Sequence, residues 1–146
     1  MAETWVVYTD GSADPRTGAA GWAAVALRNG QLRLEVQGWE MERDSAWAEL
    51  RAVREALSVV PGGVRVVVHT DHYALVEAFR GRGRLQREDL HGLWGELWEE
   101  AGRRGLRLEL RYRRRQKTVW SRWVHRLANG ARRRALSALG AGLRAA

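Results

Sequence analysis

The apolar pattern of this chain changes period near residue 44, and that change limits the folds open to it. Before it, "TWVVYTD", "AGWAAVAL" and "QLRLEVQG" are short β-branched or alternating segments that read as strands. "DGSADPRTG" between the first two is turn chemistry, and Asn29-Gly30 between the next two is a strong hairpin signal. The opening third is therefore expected to be an antiparallel meander. From Ser45 to Val59 the period becomes helical: Trp47, Leu50, Val53 and Leu57 form one stripe, with Asp44 or Ser45 able to cap its start.

"PGG" stops that helix and "VRVVVHTD" follows as a buried strand. "HYALVEAF" makes a short helix, "RGRGRLQRE" a basic connection, "LHGLWGELWEEAG" an amphipathic helix and "LRLELRYR" an alternating strand. A terminal helix is expected over residues 119–140. The order is βββαβαβα, an α/β layer fold with a mixed five-stranded sheet flanked by helices. No repeat or long linker divides it, and 45% apolar residues with eight tryptophans can fill one core, so residues 1–146 are expected to form a single domain.

Composition narrows the partners. The net charge of +8 is uneven: residues 111–146 hold eleven Arg or Lys and no acid, whereas residues 1–110 hold fourteen basic and seventeen acidic residues. Such a block suits a polyanion, because each phosphate neutralised releases counterions. Twenty-four Arg against one Lys is also what a genome of biased composition would produce. The absence of cysteine excludes disulfides and thiolate metal sites and agrees with a reducing cytoplasm. No apolar run approaches the roughly 18 residues of a membrane span, and "MAETWVV" lacks a signal peptide's design. A soluble cytoplasmic protein, a monomer with no membrane partner, is expected.

Three acids stand out by position. Asp10 ends the first strand before Gly-Ser, Asp71 ends the fourth, and Glu49 lies one turn into the first helix beside its buried stripe. If the two strands are parallel neighbours, both aspartates emerge at the carboxyl edge where open α/β sheets place their sites. Converging carboxylates repel unless a cation lies between them, and oxygen donors without thiolate suit Mg²⁺ or Mn²⁺. Two such ions about 4 Å apart are a standard device for phosphodiester hydrolysis. Any one of these acids alone would read as a turn or cap residue.

"YTDGSADPRTGAAGWA", "SAWAELRAVREAL" and "HTDHYALVEAF", spaced over this element order, resemble type 1 ribonuclease H and the related domains of retroviral reverse transcriptases. The resemblance runs from about residue 4 to 138, and it implies Mg²⁺-dependent cleavage of the RNA strand of RNA/DNA hybrids to 5′-phosphate and 3′-hydroxyl ends. It implies Asp10, Glu49 and Asp71 as metal ligands. The family's fourth acid, usually Asp in an "AD-x-LA" context, aligns with Asn129 in "LANGARRRA", whose amide oxygen can ligate without charge. The other reading of Asn129-Gly130 is a helix break or cap.

The loop His carried by many bacterial members is Val119 here. His125, one turn before Asn129, either takes over part of that role or faces solvent or phosphate. By the same resemblance Gly11, Ser12 and Ser45 would lie near the RNA strand. Arg80, Arg82, Arg84 and Arg87 would replace a basic protrusion on the DNA side, helped by Arg113, Arg114 and Arg115. Trp120 and Trp123 would stack on nucleic acid or pack the core. Two alternatives stay open: a nucleic-acid-binding domain with weakened or lost catalysis, and a DNA nuclease on the same fold.

Overall fold

The computed structural model describes residues 3–83, 85, 87–114 and 118–145. Strands β1 (Thr4–Ala13), β2 (Ala20–Arg28) and β3 (Gln31–Glu40) are followed by helix α1 (Ser45–Val59) and strand β4 (Arg65–Thr70). Helices α2 (Tyr73–Phe79) and α3 (Glu88–Arg103), strand β5 (Arg107–Tyr112) and helix α4 (Val119–Ala145) complete the order. The interval between β4 and β5 thus holds two helices, one on each side of the basic connection, so the order is βββαβααβα where βββαβαβα was expected.

The sheet runs β3-β2-β1-β4-β5, antiparallel on the β3-β2-β1 side and parallel from β1 through β5. Asn29 and Gly30 both take positive φ, 52° and 74°, as a two-residue hairpin between twisted strands requires. Alternation along β2 supplies both faces: Trp22, Ala24 and Ala26 enter the larger core with α1, while Ala23 and Val25 meet Val124 and Ala128 of α4. The sheet is therefore covered on both sides, and "RVVVHT" of β4 is apolar enough for that setting.

Glycines fix two close approaches. A Cβ on Gly21 would run into the Arg132 nitrogen and the Ala128 oxygen, so only glycine lets α4 lie this near β2. At Gly11 the same atom would run into the Glu49 nitrogen, so α1 rests directly on β1.

Helix starts follow local chemistry. The Asp44 carboxylate accepts from the Trp47 amide at 3.0 Å and caps α1. Thr118 and Ser121 exchange side-chain-to-backbone bonds, 3.0 Å and 2.9 Å, at the start of α4. Two expectations need correction. Asn129-Gly130 does not break α4, because Ala128, Ala131 and Ala135 are buried along it and that packing outweighs the roughly 1 kcal/mol penalty of a helical glycine. β1 does not end at Asp10: its pairing with β4 stops at Tyr8, but pairing with β2 continues to Ala13.

Candidate metal centre and nucleic-acid groove

The uneven ending of β1 positions the first acid. Asp10 pairs with Ala23 of β2 two residues beyond the last β1–β4 pair, so it stands where β4 has left the sheet, and Asp71 directly follows β4. Glu49 reaches the same point from α1 across Gly11. Asp10 is 3% exposed and Glu49 2%, while Asp71 is half-buried. One oxygen from each lies within 4.8 Å of the others, the only such cluster of potential metal ligands among the described residues.

Two threonines that sequence reasoning missed hold Glu49 in place. Its Oε1 accepts from Thr9 Oγ1 at 2.7 Å and from Thr70 Oγ1 at 2.6 Å. Each threonine precedes an acid in the strand, "TD" in both cases, and that doublet was the available signal. Burial, then repulsion from Asp10 and Asp71, pushes the Glu49 carboxyl up to about 8 despite the two hydroxyls. Three oxygen donors that repel one another at this spacing fit a hard divalent cation, which would neutralise them together.

The structure differs from the sequence reading at the fourth position. His125, not Asn129, meets the acids: its Nδ1 lies 2.6 Å from Asp10 Oδ2. Asn129 stands one turn further along α4, accepting from Ser12 Oγ at 2.7 Å and turning its amide nitrogen to His125 Nε2 at 3.2 Å. The pattern "AD-x-LA" also fits Val124-His125-Arg126-Leu127-Ala128, which puts His125 in the acid's place. Val119 begins α4 and is exposed.

Two recesses adjoin the acids. In one, of about 400 Å³, Gly11, Ser12, Ser45, His125 and Asn129 line a groove with Arg132. Sequence reasoning missed Arg132, although it falls seven residues after His125 on the same helical face; it donates to Ser12 Oγ at 3.1 Å. The other is a small cleft where Arg113 and Arg114 face Asp10, Asp71 and His69. Burial, then the nearby Arg113 and Arg111, pushes His69 down to about 4, so its neutral Nδ1 accepts the Arg113 Nε–H at 3.2 Å and fixes that guanidinium at the cleft.

The other basic residues do not gather here in the same way. Arg82 is tied to Glu77 at 2.8 Å, Arg87 pairs with Asp44 and Asp89, and Arg80 is exposed after α2. Arg84 and Arg115 lie outside the described residues. Trp120 and Trp123 pack against Ala23 and Val25, and the Trp123 indole donates to Glu35 at 2.8 Å, so both serve the α4–sheet contact.

Against known proteins, the sequence model of the RNase H family matches residues 2–91. The chain is 32% identical over 108 residues to the ribonuclease H of Symbiobacterium thermophilum, a match covering 66% of this chain and 73% of that protein. With the ribonuclease H of Acidiphilium cryptum the identity is 43% over 65 residues, 44% of this chain and 40% of that protein. Among solved structures, the N-terminal RNase H domain of Rv2228c from Mycobacterium tuberculosis has a TM-score of 0.81 at 21% identity, covering 94% of this chain and 99% of that one. LC11-RNase H1, solved in complex with an RNA/DNA hybrid, has a TM-score of 0.78 at 23% identity over 90% and 99%. The structural likeness shows the fold, and the sequence matches, together covering more than half of the chain, show that it belongs to the ribonuclease H family.

Proposed function

We propose that the chain is a divalent-cation-dependent endonuclease that hydrolyses the RNA strand of RNA/DNA hybrids to 5′-phosphate and 3′-hydroxyl ends. The observation that carries this reading is the convergence of Asp10, Glu49 and Asp71 within 4.8 Å at the sheet edge of a ribonuclease H scaffold. Those three carboxylates would hold Mg²⁺ or Mn²⁺. Such an ion supplies activation of water and stabilisation of the leaving oxygen.

The chain's own residues would do the rest. Arg113, pinned by His69, and Arg114 would meet phosphates at the cleft and turn the scissile group toward the acids. Gly11, Ser12 and Ser45 would meet the RNA strand in the groove, where a 2′-hydroxyl can exchange hydrogen bonds with Ser12. The same reading has residues 1–146 working as one monomeric domain in the cytoplasm. A slower enzyme or a hybrid-binding domain is the second reading, favoured by the lack of an acid at both His125 and Asn129.

The test is to present RNA/DNA hybrid, double-stranded RNA and double-stranded DNA, each strand labelled in turn, with Mg²⁺ or Mn²⁺. Cutting of the RNA strand of the hybrid alone, stopped by a chelator, with 5′-phosphate on the products, is expected. Cutting of duplex DNA, or cutting that survives the chelator, would overturn the reading.

A further inference from the structure

Asp10 faces two ways. On one side are Glu49 and Asp71; on the other its Oδ2 meets His125 Nδ1 at 2.6 Å, from a different element and over a polar groove. An imidazole nitrogen and a carboxylate oxygen in contact, with the His side chain 22% exposed, form the start of a second cation position reachable from solvent. Resting on the proposed use of the acid cluster, we infer that His125 supplies a nitrogen ligand there and so turns the site toward Mn²⁺ and away from Mg²⁺. Magnesium demands a near-ideal octahedral oxygen shell and dehydrates reluctantly, whereas Mn²⁺, although it too favours oxygen, is a transition-metal ion that accepts an imidazole nitrogen among its ligands.

The surroundings of His125 support that role. A ligating histidine needs a partner at its other nitrogen to fix ring and tautomer. Asn129 lies 3.2 Å from Nε2 and meets Ser12 through its other amide atom. With Nδ1–H donated to Asp10, the Asn129 amide nitrogen donates to Nε2. With Nδ1 on a metal, Nε2 carries the proton and the amide, turned over, accepts it, while Ser12 Oγ accepts from the amide nitrogen. An amide serves both states; a carboxylate at 129 serves only the second. Arg132, 3.1 Å from Ser12 Oγ, places positive charge close by and keeps this position weaker than the three-acid one.

The test is pulsed electron paramagnetic resonance of the whole 146-residue chain at saturating Mn²⁺, with His125→Asp and Asp10→Asn beside it. Calorimetric titration of Mg²⁺ and Mn²⁺ accompanies it. We expect ¹⁴N coupling from a directly bound nitrogen in the parent protein, its loss in His125→Asp with Mn²⁺ still bound, and a shift of that variant's relative affinity toward Mg²⁺. Mn²⁺ binding that depends on Asp10 but carries no ¹⁴N coupling in the parent protein would overturn the inference and leave the acid site standing. Absence of any Asp10-dependent Mn²⁺ binding would overturn both. The parent spectrum decides the question even if His125→Asp fails to fold.

Discussion

At Glu49, burial and the carboxylates of Asp10 and Asp71 hold the proton on, moving the group from an ordinary 4.5 to about 8. In the metal-free protein this sets a direction for stability. Between those values the unfolded chain has released the proton and the folded chain has kept it, so stability falls as pH rises through that window. The melting temperature of metal-free protein should therefore drop from pH 5 to pH 8, by the equivalent of a few kcal/mol, with Glu49→Gln flattening the slope. A melting temperature that rises over this range would contradict the burial argument. Asp10, Glu49 and Asp71 were legible because the two parallel strands and the helix that carry them are set by local pattern, although β1 runs on past Asp10. The fourth position was not, because His125 and Asn129 share one face of α4 a turn apart and periodicity cannot choose between them. The Leu127-Ala128 pair after His125 was the available signal, and the packing of α4 on the sheet brings His125 rather than Asn129 to Asp10. Asn129→Asp should accordingly leave the Mg²⁺-supported cleavage rate no higher, whereas His125→Asp should raise it; the reverse ranking in a hybrid cleavage assay would restore Asn129 to the acid's place.

The elements meet through glycine, and their tolerance can be predicted. An added Cβ at Gly21 collides with the backbone of α4, which cannot yield as a side chain would, so Gly21→Ala should cost about 1–3 kcal/mol in thermal or denaturant unfolding. Gly11→Ala strikes α1 beside Glu49 and should reduce cation affinity as well as stability. An unchanged midpoint in either variant would mean the helices are not held as close as described. The meander, the Asn29-Gly30 hairpin and the stripe of α1 were readable because each rests on neighbours in sequence. The length of β1 and the continuity of α4 were not. β1 outlasts β4 because β2 goes on pairing with it, and α4 runs through Asn129-Gly130 because Ala128, Ala131 and Ala135 bury its inner face.

At the scale of the whole molecule, the described arginines include some placed to meet phosphate and some already engaged. Arg82 and Arg87 pair with acids of the protein itself, whereas Arg113 and Arg114 line the cleft beside Asp10 and Asp71. Replacing Arg113 or Arg114 with Gln should lower the slope of log affinity against log salt by about one for each phosphate no longer neutralised, and replacing Arg82 should change it less. Filter binding to an RNA/DNA hybrid over a salt series would check this ranking. The charge asymmetry itself was visible in the sequence, but which arginines are spent on internal pairs depends on the packing of α2, α3 and α1. The proposed hybrid cleavage rests on the buried Asp10 and Glu49 and the half-buried Asp71. It is tested most directly by following cleavage of an end-labelled RNA strand, paired with DNA, by the parent protein and by Asp10→Asn in Mg²⁺ and in Mn²⁺. Cleavage by the parent protein and none by a folded Asp10→Asn is expected; equal cleavage by both, or none by the parent protein with either ion, would overturn the proposed function.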